Sequence, residues 1–192
     1  MKLLIVSFLI LITDQLSKFY VKGIVLPLFN LDHSGLPQSR SIAVIDKLFY
    51  ITPVENPGIA FGIEFGPDFK MILSVITIIA TIGLLVYFIK IKQKDIFTRL
   101  SVAIILGGAF GNLVDRIFYG YMYGYASILS GNVVDFLDLR IFSLFMMNKT
   151  FNVYVFNFAD IAITVGVIGL LYALFKKRKE TDRTEVSNVE IA

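Results

Sequence analysis

The chain has no cysteine, so disulfides, thiolate nucleophiles and thiolate metal sites are excluded together. It has one histidine, His33, in the Pro/Gly/Ser-rich stretch LDHSGLPQSR (31–40). A zinc site draws on several His or Cys ligands, so neither a metal nor a cofactor is expected. Charge is scarce too: Asp, Glu, Lys and Arg make up 17% of the residues, against about 25% in a soluble domain. The net charge of +3 comes from KIKQK (90–94) and KKRK (176–179). Such short clusters orient a chain in a membrane rather than bind nucleic acid.

What the chain does have is apolar residues, 56% of the total, gathered into four long blocks. They run from Leu3 to Tyr20, Met71 to Ile89, Leu100 to Phe118 and Phe158 to Phe175. Each is close to the roughly 20 residues that cross a bilayer. Lys2 ahead of the first block is also a feature of secretory signal peptides. Against that reading, no small-x-small cleavage site follows, and Asp14, Gln15 and Lys18 interrupt the block. It reads as a retained span.

Lys90, Lys92, Lys94 and Arg99 lie between spans two and three, and Lys176, Lys177, Arg178 and Lys179 follow span four. The positive-inside rule puts both groups, and hence both termini, in the cytoplasm. Segments 21–69 and 119–156 then lie outside. The expected fold is an α-helical integral membrane protein with four transmembrane helices over residues 1–179. Alternating runs such as LFYITPVEN (48–56) add a small β-structured extracytoplasmic element. The Phe- and Met-rich segment 137–155 reads as a membrane-resting loop, and 180–192 as a disordered cytoplasmic tail.

With this topology the polar residues gather at one membrane edge. Asp14 and Lys18 share a face of span one. Asn112, Asp115 and Arg116 lie at the outer end of span three, and Asn157, Asp160 and Thr164 at the outer start of span four. Asp135 lies on the outer loop between them. Each has a plain alternative: a structural ion pair for Asp14/Lys18, a counter-ion for Arg116 in Asp115, helix packing for Gly107 and Gly111, a helix-dipole contact for Asp160. Ser17 and Lys18 are adjacent, so they do not face each other as a Ser–Lys dyad would. Two carboxylates at such an edge can share a proton and serve as general acid and base. By spacing alone, Asp115 competes with Asp135 as the partner of Asp160.

Five motifs occur in the order TDQLSK (13–18), ENPGIAFG (55–62), GGAFGNLVDR (107–116), VVDF (133–136) and FNFADIAITVG (156–166). In these the chain resembles the lipoprotein signal peptidase (type II signal peptidase) family of bacteria, over nearly its whole length apart from the tail. The resemblance implies an aspartyl endopeptidase of the cytoplasmic membrane with its active site at the outer face. It would remove the signal peptide of diacylglyceryl-modified prolipoproteins just before the lipidated cysteine. It further implies Asp135 and Asp160 as the catalytic pair, with Asp115 behind them. Asp14, Lys18, Asn56, Gly58, Gly108, Asn112, Arg116 and Asn157 would shape the site or hold substrate. Prolipoproteins, membrane lipids and globomycin-type inhibitors are the implied partners of a monomer.

The chain departs from the family pattern at Pro57 and in its longer link 117–134, which suggests an added lid or hairpin. Two other classes differ in what they require. An ion-coupled transporter would use Asp14, Lys18 and Asp160 and spread polar residues through the membrane depth. A non-enzymatic scaffold would tolerate loss of the aspartates.

Overall fold

Helix α1 (Leu4–Lys22) turns the usual distribution inside out. Ile5, Phe8, Leu9, Ile12, Leu16 and Tyr20 are exposed, whereas Ser7, Asp14, Gln15, Lys18 and Val21 are buried. At helical spacing the buried residues form one stripe. Lipid takes the apolar face and protein the polar one. The structure is a computed structural model that describes residues 2–26, 31–37, 40–58, 67–140, 144–146, 149–151 and 155–190.

Among the described residues four helices are long and apolar enough to cross a membrane: Leu4–Lys22, Phe69–Lys90, Ile96–Met122 and Phe158–Arg178. They lie in α1, α2 (Pro67–Lys90), α3 (Ile96–Val114) with its continuation, and α5 (Phe158–Glu190). Helix α3 is central and packs against the other three. Its apolar window is 50% buried, against 28% for α1 and 17% for α2 and α5. Asp95 starts it by accepting from Thr98 N–H at 2.8 Å, an N-cap in the short link from α2.

Glycines bring the helices close. A Cβ on Gly108 would lie 2.4 Å from the Ala159 carbonyl oxygen of α5, and one on Gly111 would lie 2.5 Å from Asp14 Oδ2 of α1. Gly107 similarly meets the backbone of Ser7, whose hydroxyl donates to Ala103 O at 2.6 Å. Where lipid removes the hydrophobic drive between helices, such close backbone approach is one source of packing energy beside interhelical hydrogen bonds.

At one end of the bundle is a four-stranded antiparallel sheet in the order β3 (Ile42–Ile45), β4 (Phe49–Asn56), β5 (Val133–Leu139), β8 (Val155–Phe156). Strand β4 carries Pro53 although it is an inner strand. The pairing with β5 shifts register between Ile51 and Val54, so the proline falls at an irregularity rather than in the ladder. A hairpin of β1 (Ile24–Leu26) and β2 (Leu31–His33) follows α1 directly. A cluster of Val21, Tyr119, Val134, Phe136 and Leu137 joins sheet to bundle.

Some expectations change. The link 117–134 is neither lid nor hairpin: α3 runs on through a π-helical turn (Asp115–Tyr119) and α4 (Gly120–Met122). The chain then folds back, with Leu129 N–H on Ile117 O and Gly131 N–H on Arg116 O. Its carbonyls find partners within the segment, which keeps it compact. Segment 137–155 is not one loop, because it holds the end of β5, the β6–β7 hairpin (Leu144–Met146, Lys149–Phe151) and the start of β8. Residues 141–143, 147–148 and 152–154 lie outside the described residues. The backbone of α5 continues to Glu190 where a disordered tail is expected, since no Gly or Pro after Gly169 breaks it.

Gly108→Ala is expected to destabilise the fold by about 1–3 kcal/mol of overpacking against α5, read as a lower thermal midpoint in detergent. Gly83, whose added Cβ would meet nothing within 4 Å, is the control, and Gly83→Ala should leave the midpoint unchanged or raise it. Equal midpoints for the two variants would show that the Gly108 contact carries no packing constraint.

Candidate active site

Asp160 occupies the first turn of α5 and Asn157 precedes the helix. Asp160 N–H donates to Asn157 Oδ1 at 2.9 Å, and Asn157 N–H donates to Asp160 Oδ2 at 3.2 Å. This reciprocal pair is a capping box in which the carboxylate serves as the third-position acceptor. The other oxygen, Asp160 Oδ1, accepts from Asn112 Nδ2 of α3 at 2.8 Å. Asp160 is thus fixed from both sides while remaining only half-buried.

Asp135 comes from β5 and is 4% exposed. Its Oδ1 accepts from Asn157 Nδ2 at 2.7 Å and its Oδ2 from Asn56 Nδ2 at 3.1 Å. Asn56 is oriented in turn by Gly58, whose N–H donates to Asn56 Oδ1 at 2.9 Å. Gly58 adopts φ +100°, a conformation that L side chains avoid. One residue, Asn157, therefore touches both carboxylates. Burial, and then the Asp160 charge, push the Asp135 carboxyl up to about 7, against the lowering effect of the two asparagine amides.

Behind the pair lies a sealed ion network. Lys18 Nζ lies 2.8 Å from Asp14 Oδ2 and 2.8 Å from Asp115 Oδ2, with all three side chains 0% exposed. It also donates to Asn112 Oδ1 at 3.0 Å. Asp14 Oδ1 accepts from Ala159 N–H at 2.9 Å, a backbone donor in the first turn of α5 that the helix itself leaves unmet. Asp115 accepts from Gln15 Nε2 at 2.9 Å and from Val134 N–H at 3.1 Å, and Val134 is the residue before Asp135. Tyr119 O–H donates to Gln15 Oε1 at 3.0 Å.

The site residues named from sequence thus fall together: Asp14, Lys18, Asn56, Gly58, Gly108, Asn112, Asp135, Asn157 and Asp160 form one connected assembly. Asp14 and Lys18 are fully buried and cannot touch a substrate. The counter-ion of Asp115 is Lys18, not the neighbouring Arg116. The turn separates them: Asp115 faces α1, while Arg116 Nη1 is buried near Gly58 with no hydrogen-bond partner among the described residues. Thr164 is exposed and lies outside the assembly. Gln15 and Tyr119 are the participants that sequence reasoning missed. Gln15 could have been found at position 15, beside Asp14 on a polar stripe; Tyr119 carries no sequence signal.

These features define a multi-pass membrane protein with two hydrogen-bonded carboxylates at the junction of bundle and sheet. Residues 6–176 match the family model described as Signal peptidase (SPase) II, and the chain belongs to that peptidase family. It is 36% identical over 180 residues to a lipoprotein signal peptidase of Syntrophus aciditrophicus, covering 92% of this chain and 94% of that protein. A protein of the same name from Moorella thermoacetica is 36% identical over 183 residues, covering 95% and 99%. A solved bacterial membrane enzyme structure at 1.9 Å is 31% identical with a TM-score of 0.66, covering 91% of this chain and 93% of that one. Another, at 2.3 Å, is 28% identical with a TM-score of 0.66, covering 93% and 90%.

Lys18→Met would leave two buried carboxylates without their cation, a loss of about 3–5 kcal/mol. The variant is expected to unfold at a markedly lower temperature, and Lys18→Met/Asp115→Asn to recover part of the loss. Thermal unfolding in detergent reads both. A double variant no better than the single would mean that the Asp115 charge is not what Lys18 neutralises.

Proposed function

We propose that the chain is an aspartyl endopeptidase of the bacterial cytoplasmic membrane. It cleaves the signal peptide from diacylglyceryl-modified prolipoproteins on the N-terminal side of the lipidated cysteine. The observation that carries this reading is the Asn157 bridge, which holds two carboxylates in fixed relation, neither of them in an ion pair among the described residues. Its similarity to proteins named lipoprotein signal peptidase supports the substrate class.

In the proposed mechanism Asp135, the more buried carboxyl, holds the shared proton and Asp160 is the base. Water loses a proton to Asp160 as its oxygen bonds to the scissile carbonyl carbon, and Asp135 protonates the carbonyl oxygen. On collapse the C–N bond breaks, Asp160 passes its proton to the leaving nitrogen, and Asp135 recovers its own from the diol. The pair ends as it began. Arg116, beside Gly58, is assigned to hold substrate, and Asn56 to orient Asp135. The outer face of the membrane suits a substrate whose own lipid fixes the height of the scissile bond.

Asp135→Asn and Asp160→Asn are each expected to lower kcat by about a thousandfold or more, followed as the mass shift of a diacylglyceryl-modified prolipoprotein. Normal cleavage by both variants would sink the assignment. Because the acid must be protonated, kcat/KM of the native enzyme should fall as pH rises through about 7, where burial sets Asp135. A rate that instead rises through that range would reverse the two roles.

The absence of native cysteine allows a direct test of orientation. Ser127→Cys should react with a membrane-impermeant maleimide in intact spheroplasts, and Lys92→Cys only after permeabilisation. The opposite pattern would invert the topology.

A further inference from the structure

The last residue of β4 is Asn56, paired across to Val133. Its neighbour Glu55, opposite Val134, points to the other face of the sheet because side chains alternate along a strand. One side of this strand end therefore faces Asp135, and the other faces a cluster unused by the chemistry above. There Glu55 forms an ion pair with Lys22, the last residue of α1. The pair is partly withdrawn from water, with the Lys22 side chain 6% exposed and that of Glu55 25%.

The Lys22 ammonium also lies 4.3 Å from the centre of the Tyr123 ring and 5.1 Å from that of Tyr125. Asn132 closes the cluster. Its Nδ2 donates to Glu55 Oε2 at 3.4 Å, its N–H donates to Tyr125 Oη at 2.8 Å, and its Oδ1 accepts from Lys70 of α2 at 3.0 Å. Tyr123 O–H donates to Gly23 O at 2.6 Å. Two parts of the chain grip this glutamate of β4 directly, Lys22 at the end of α1 and Asn132 of the folded-back link, and Lys70 at the start of α2 holds Asn132 in turn.

We propose that Glu55 is a positioning residue for the reaction: clamped by Lys22 and Asn132 beneath the two tyrosines, it fixes the end of β4 so that Asn56 meets Asp135. The folded-back link 123–132 then has a task, which is to supply the aromatic cover and Asn132. A fully exposed ion pair would be too weak for this. Partial desolvation and two aromatic faces strengthen the hold on Lys22. Asn56 is the final paired residue of its strand, so the grip on Glu55 adds to the Gly58 N–H bond in opposing small rotations there. The proposal rests on Asp135 being catalytic.

The test uses the full-length enzyme in detergent with a synthetic diacylglyceryl-cysteine prolipoprotein peptide. Glu55→Ala is expected to lower kcat about tenfold with little change in KM. Glu55→Gln, which keeps an acceptor for Lys22, should recover most of that loss. The alkaline limb of kcat/KM should also move upward in Glu55→Ala, because the Asn56 amide favours the ionised form of Asp135. Asp160, Lys18, Arg116 and Asn157, the other groups facing that carboxyl, are left unaltered.

In an Asn56→Ala background, Glu55→Ala should slow the reaction no further. Asn132→Ala, which loosens the clamp from the other side, should shift kcat and the limb in the same direction but less. The proposal is overturned by a native kcat and limb in folded Glu55→Ala, by native behaviour of Asn132→Ala, or by additive losses in the double variant. Full activity of Asp135→Asn would instead defeat the catalytic reading on which the proposal stands.

Discussion

An ammonium group with no exposure to water or lipid holds this molecule together. Lys18 binds Asp14 on its own helix, Asp115 beyond the end of α3, and Asn112 within it. Left alone at that depth, any of these charges would cost several kcal/mol. Together they compel α1 and α3 to meet at one height. From that meeting two arms extend. Asn112 reaches Asp160, and Asp115 reaches the backbone of Val134 beside Asp135. The positions of two carboxylates from distant parts of the chain therefore trace back to one cation.

The fold around this centre follows from the lack of a hydrophobic drive between helices in lipid. Apolar side chains on α1 point outward, so cohesion has to come from glycine contacts and polar bonds. Gly108 and Gly111 let α3 approach α5 and α1 closely enough for hydrogen bonds of ordinary length to form. The central place of α3 reflects this, since it carries both glycines and Asn112. The π-helical turn after it alters the phase of the chain, which lets Asp115 face α1 while its neighbour Arg116 faces Gly58.

Much of this was legible in the sequence, and the parts that were not share a cause. The four spans could be read because apolar runs of membrane length are a local signal. Asp14 and Lys18 could be paired by their spacing on one helix. The cap formed by Asn157 and Asp160 was visible as a shared helix face, although not as a reciprocal bond. By contrast, Asp135 acquires its setting from a strand register with β4 and from Asn157, and neither is encoded near it. Asp115 drew attention as a rival for Asp160 and as a counter-ion for Arg116, because spacing cannot report which helix lies opposite. The link after Arg116 looked like a lid because its tyrosines and glycines fit a turn. Its hydrogen bonds fold it back onto the end of α3.

Asn157 spends every bonding capacity it has nearby. Its amide nitrogen serves Asp135 and Asn112, its amide oxygen serves Asp160, and its backbone N–H serves Asp160 again. In evolutionary terms such a residue has no neutral neighbours. Aspartate would bring a third negative charge between two others, glutamine would displace the amide by a methylene, and alanine would strip a donor from one carboxylate and an acceptor from the helix start. Lineages carrying this arrangement reach no alternative at position 157 by single steps that each preserve the geometry.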